Sequence, residues 1–73
     1  MSQIEVKSEV AGSVWKVLVQ TGDHVAEDAQ LMIVESMKME IPVLSMSAGR
    51  VVELRVTEGD TVAEGQVVAV IES

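Results

Sequence analysis

A chain of 73 residues with a formal charge of −7 holds one small domain, and its thin margin of buried surface excludes a large enclosed pocket. Twelve acidic against five basic residues argue against nucleic acid and anionic membrane partners, and the absence of cysteine excludes disulfides and Cys-ligated metals. No signal-like leader opens the sequence and no apolar run approaches the ~18 residues of a membrane span, so the expected location is the cytosol.

The apolar 48% contains fifteen valines and a single aromatic, Trp15, a composition that favours strands over helices. In chain order, Gly12 reads as a turn before a strand over 14–19. There Trp15, Val17 and Val19 are expected on the core face and Lys16 on the other. Gly22-Asp23 is a turn dipeptide. His24, just after it, reads as a surface residue, since neither a second histidine nor a carboxylate cluster accompanies it to make a metal or catalytic site. The short apolar run Leu31 to Val34 suits a buried strand, and Pro42 suits a strand start or edge. The pattern then recurs. Gly49 is a turn, Val52, Leu54 and Val56 alternate with Glu53 and Arg55, Gly59-Asp60 turns, and Val67 to Ile71 forms the last buried run.

That recurrence is a duplication. A shift of 37 positions, without gaps, makes 14 of 36 residue pairs identical, where this composition gives about four by chance. Gly22-Asp23-His24-Val25-Ala26-Glu27 falls on Gly59-Asp60-Thr61-Val62-Ala63-Glu64, and Asp28, tolerant of a left-handed backbone, falls on Gly65. Each copy, 1–36 and 38–73, reads as strand, turn, short strand, turn, strand. Neither buries its own face, so the two are expected to pack face to face about a pseudo-two-fold as one all-β sandwich or flattened barrel. The junction at 36–38 then lies opposite the chain ends.

At this junction the repeat breaks. Glu35-Ser36-Met37-Lys38-Met39-Glu40 occupies a tight turn, where Asn, Asp or Gly would be usual. Exposed methionine forgoes roughly 1.5–3 kcal/mol of burial, a notable loss unless a partner covers it. Lys38 is a long amine at the tip, and the flanking sequence predicts no apolar burial to activate it. It reads as an acceptor activated by another enzyme, or as an ordinary solvated hairpin lysine. Glu35 and Glu40 read as solvated or recognition groups, since no other catalytic residue stands near them.

Met37-Lys38-Met39, preceded by Glu35 and set between two Gly-Asp-x-Val-Ala-Glu copies, resembles the biotinyl/lipoyl attachment domain. The likeness is to its biotin carboxyl carrier branch and small stand-alone attachment proteins, over essentially the whole chain. The resemblance implies a barrel-sandwich hybrid with biotin joined to Lys38 by a biotin protein ligase, and with Glu35, Met37, Met39 and Glu40 in ligase recognition. It implies a non-catalytic, monomeric carrier that takes CO2 as carboxybiotin from a biotin carboxylase to a carboxyltransferase. Lipoyl carriers usually have Asp-Lys-Ala at this tip, so lipoate is the alternative cofactor. An unmodified interaction module is the third reading. Ser36 replaces a commoner alanine, and the ungapped halves omit the "thumb" insertion of typical bacterial acetyl-CoA carboxylase carriers. With no Ala/Pro-rich linker in the sequence, docking to partner enzymes is expected to be non-covalent.

Overall fold

A computed structural model describes residues 2–73, which form eight strands and no helix. These are β1 (Gln3–Lys7), β2 (Gly12–Val17), β3 (His24–Val25), β4 (Gln30–Ser36), β5 (Met39–Leu44), β6 (Gly49–Leu54), β7 (Thr61–Val62) and β8 (Val67–Glu72). They build two antiparallel four-stranded sheets, ordered β1-β8-β6-β3 and β5-β4-β2-β7. The 37-residue shift carries β2 onto β6 and β3 onto β7 residue for residue, and β1 onto β5 and β4 onto β8 to within a residue at the ends.

The three-strand reading of each copy omits its leading strand, β1 or β5. Only Ile4 and Val6 mark the inward face of β1, too short a run for alternation to register. Nor do the copies stack as separate layers. Each sheet takes two strands from each half, so every half completes both sheets of the other. Between the sheets lie Val6, Val14, Leu31, Met32, Val34, Val51, Val62, Val68 and Ile71, all with almost no exposed surface.

Trp15 departs from expectation: it is 48% exposed, not in the core. Val14 pairs with Val34 and Lys16 with Ile33, so Trp15 is the extra residue of a β-bulge. The bulge breaks the two-residue alternation. Val14 points inward before it and Val17 packs on the core after it. The second copy repeats the device at Val52, between the Val51–Ile71 and Glu53–Val70 pairs. Val51 is therefore the fully buried residue there, and Val52 only half-buried.

Gly12 and Gly49 are also corrected. Neither is a turn residue; each opens a strand, β2 or β6. A Cβ on Gly12 would strike the Glu35 carbonyl, and one on Gly49 the Glu72 carbonyl, so only glycine permits these close approaches. The expected turns are at Gly22 and Gly59, with φ of 99° and 94° and open space around each. Asp28 and Gly65 share a left-handed backbone, φ 69° and 84°. Gly22→Ala and Gly59→Ala should each cost about 1–2 kcal/mol in urea denaturation through backbone strain alone, because no neighbour opposes the methyl.

Two buried serines repeat as well. Ser8 Oγ donates to the Val10 carbonyl and Ser45 Oγ to the Ser47 carbonyl, both at 2.6 Å, satisfying each hydroxyl locally. β1 runs from the chain ends to Ser8 and β5 from the central hairpin to Ser45, and the two serines line one groove. The pseudo-two-fold thus exchanges the hairpin with the chain ends, where Ser73 N–H donates to the Ser2 carbonyl.

Candidate functional site

β4 and β5 are joined by two residues, Met37 and Lys38, with Ser36 opposite Met39 closing the ladder. Both turn residues have positive φ, 51° and 67°. This is the backbone of a tight hairpin turn that normally selects Asn-Gly. Left-handed geometry costs roughly 1–2 kcal/mol for each residue bearing a Cβ. The strain sits at the one place where the sequence repeat is broken.

The turn aims its side chains at solvent. Met37 is 92% exposed and Met39 63%, and Lys38 is exposed between them. The concavities gathered around Ser8 and Ser45, around Glu53 and Arg55, and around Val17 and Leu54 are not lined by Met37, Lys38 or Met39. The arrangement offers a primary amine between two thioethers on an exposed two-residue tip.

Glu35 and Glu40 stand directly opposite each other, one step before the turn, both exposed. Like charges so placed repel. Ser13, the other neighbour of Glu35, carries no charge. The equivalent position at the chain ends is neutralised: Glu72 meets Arg50 at 3.4 Å and faces Gln3. The hairpin end therefore presents two adjacent carboxylates with no ion-pair partner among the described residues.

Lys38, Met37, Met39, Glu35 and Glu40 thus converge at one end of one sheet. His24 lies apart, exposed in β3 and paired with Arg50. No three His, Asp or Glu side chains among the described residues approach as a metal site. Sequence reasoning missed the apolar face beside the hairpin, where Ile33 and Pro42 lie in register with Lys16 and beside the exposed Trp15. The bulge hid it by reversing the expected direction of Trp15. Lys16 Nζ sits 5.6 Å from the indole centroid, partly covering the ring.

Comparison with known proteins agrees with this geometry. The family described as biotin-requiring enzyme, which covers biotin and lipoyl attachment, matches residues 2–71. A biotinylated protein TB7.3 homolog of Mycolicibacterium smegmatis is 49% identical over 41 residues, 56% of this chain and 58% of that protein. The biotin/lipoyl attachment protein of Bacillus subtilis is 45% identical over 40 residues, 55% of each. The matches thus span just over half the length of these relatives. Among solved structures, Kluyveromyces lactis urea carboxylase superposes with a TM-score of 0.93 at 35% identity, over 99% of this chain and 6% of that one. A single-chain, multi-domain long-chain acyl-CoA carboxylase gives 0.87 at 31% identity, over 93% of this chain and 7% of that one. A two-sheet β scaffold with a lysine on a strained, exposed turn, similar to small parts of two carboxylases, is a carrier domain rather than a catalytic one, and the chain belongs to the biotin/lipoyl attachment family.

Proposed function

We propose that the chain is a biotin carboxyl carrier whose Lys38 receives biotin from a biotin protein ligase. The observation that carries this reading is the Met37–Lys38 turn: a solvent-facing amine on a strained two-residue tip, flanked by exposed methionines. The amine meets no obstruction from its own domain, and the exposed Met37 and Met39 give a ligase soft apolar contacts. Glu35 and Glu40 add charge recognition beside them.

In the ligase site the Lys38 amine loses a proton and takes the acyl group of biotinyl-adenylate, releasing AMP. The new amide is neutral, so the tip loses its positive charge. Lys38 fits the group because its side chain stands free of any wall. Biotin supplies a ureido nitrogen that accepts and returns a carboxyl group; the enzymes that drive both transfers are a biotin carboxylase and a carboxyltransferase. The chain's own part is mechanical. The hairpin holds the attachment point clear of the scaffold, and tethering raises the local cofactor concentration toward the mM range.

Intact mass after incubation with biotin, ATP and a biotin protein ligase tests the assignment. A gain of about 226 Da is expected. A gain of about 188 Da from lipoate and a lipoate ligase, with none from biotin, would replace it by the lipoyl reading. The name of the Bacillus subtilis relative favours keeping that second arm. No gain in either would leave an unmodified module.

A further inference from the structure

The pseudo-two-fold gives the molecule an internal control, because each outward residue of one sheet has a counterpart on the other. On the sheet of β1, β8, β6 and β3, a shallow concavity gathers Gln3, Glu5, Lys7, Glu53, Arg55 and Val70. This outer face is charged, and Arg55 and Glu53 pair within it at 3.1 Å. The 37-residue shift carries these six positions onto Glu40, Pro42, Leu44, Lys16, Leu18 and Ile33 of the hairpin's sheet. Pro42 stands where the other face has Glu5, Leu44 where it has Lys7, and Leu18 where it has Arg55. Leu18, Leu44 and the bulged Trp15 are exposed.

The backbone does not require this apolar face, since the same backbone carries charges on the other side. The change is confined to the sheet that bears Lys38, and it runs up to the Glu35–Glu40 pair. There the Arg50 of the other end is replaced by Ser13, and Gln3 by Glu40. The outer face of one sheet has thus gained apolar surface along its length and unneutralised negative charge at its hairpin end.

We infer that this outer face, from Leu18 and Trp15 across Ile33 to Pro42 and Leu44, is the docking surface for the biotin carboxylase. The enzyme's mouth supplies apolar side chains to the sheet and Lys or Arg to Glu35 and Glu40. This rests on the carrier reading above. A site that binds bicarbonate and ATP concentrates cationic side chains, which is the complement of the acidic pair. Apolar contact along the sheet that carries the tip holds the domain in register while Lys38 reaches inward.

Titrating the 15N-labelled, unmodified carrier with unlabelled biotin carboxylase from the same organism reads docking without the cofactor. Trp15 gives the single indole N–H signal of the chain. That signal and the amides of Leu18, Ile33 and Leu44 are expected to move, while Lys7, Glu53 and Arg55 stay. A triple variant, Leu18→Arg, Pro42→Glu and Leu44→Lys, copies the charged face onto this one and should weaken binding at least tenfold. If it fails to melt cooperatively, Leu44→Lys alone carries the test. Glu35→Gln with Glu40→Gln should flatten the salt dependence. Shifts confined to the turn or to the other sheet would overturn the assignment. So would undiminished affinity in the triple variant, or the same signals moving with the carrier's own concentration, which would put a second copy on the face. Mass at Lys38 is read separately: docking without mass gain refutes the carrier chemistry, and mass gain without docking refutes the surface.

Discussion

Lys38→Ala is expected to abolish biotin incorporation completely, with no residual mass gain after prolonged incubation with ligase. The chain has only two other lysines, Lys7 and Lys16, and both lie on strands rather than at a two-residue tip. Lys16 is further engaged over the Trp15 ring. Lys38→Arg should fail equally, since it keeps the charge and removes the acylable amine. Labelling that survives either substitution would sink the assignment. Lys38→Gly separates chemistry from folding. Removing the Cβ from a residue at φ 67° relieves left-handed strain, so this variant should be as stable as the parent or about 1 kcal/mol more so, yet wholly unmodified. A loss of stability instead would show that the turn is not strained.

The second large effect is expected at Gly12 and Gly49, the two close approaches. In Gly12→Ala the new methyl meets the Glu35 carbonyl, and in Gly49→Ala the Glu72 carbonyl. A backbone carbonyl within a ladder cannot swing aside as a side-chain tip can, so strands must separate. Each variant should lose roughly 1–3 kcal/mol in urea denaturation. Only one should change loading. Gly12 presses on the residue that leads into the hairpin, whereas Gly49 presses on the end of β8 beside the chain termini. The initial rate of mass gain is therefore expected to fall severalfold in Gly12→Ala and to stay near the parent value in Gly49→Ala. Equal rates in both would mean that the hairpin is insensitive to the strand beneath it.

Most of the scaffold is legible in the sequence because its signals are local. Gly22-Asp23 and Gly59-Asp60 mark their turns, and the apolar runs ending at Val34 and Ile71 mark the two most buried strands. The shared conformation of Asp28 and Gly65 follows from what each residue tolerates. Legibility fails where the controlling fact is non-local. A β-bulge depends on which strand lies opposite, so Trp15 is misplaced by alternation, and Val52 with it. A close approach depends on a carbonyl 23 residues away, so Gly12 and Gly49 pass for turn residues. The tip is recognised from Met37-Lys38-Met39, but its left-handed backbone contradicts the preferences of Met and Lys and appears only in three dimensions. The neutralised Glu72 and the unneutralised Glu35 are identical in sequence context, Glu-Ser in both copies. Only the strand register distinguishes their neighbours.

The interleaved sheets set the order of events on the ribosome. β8 is the last of the eight strands in chain order, yet it lies inside its sheet, between β1 and β6. β1, the first of the eight, has no strand partner until residues 67–72 have emerged. β3 likewise waits for β6, whereas β2 pairs with β4 early and only its other edge waits for β7. The hairpin pairs most directly, since β4 and β5 are contiguous. A nascent chain can therefore display its lysine before the sheet beneath it is closed. Pairing between distant segments is also the slow part of β folding. A ligase that requires the finished scaffold would modify only chains in which β8 has emerged and paired, and products truncated before it would escape the cofactor.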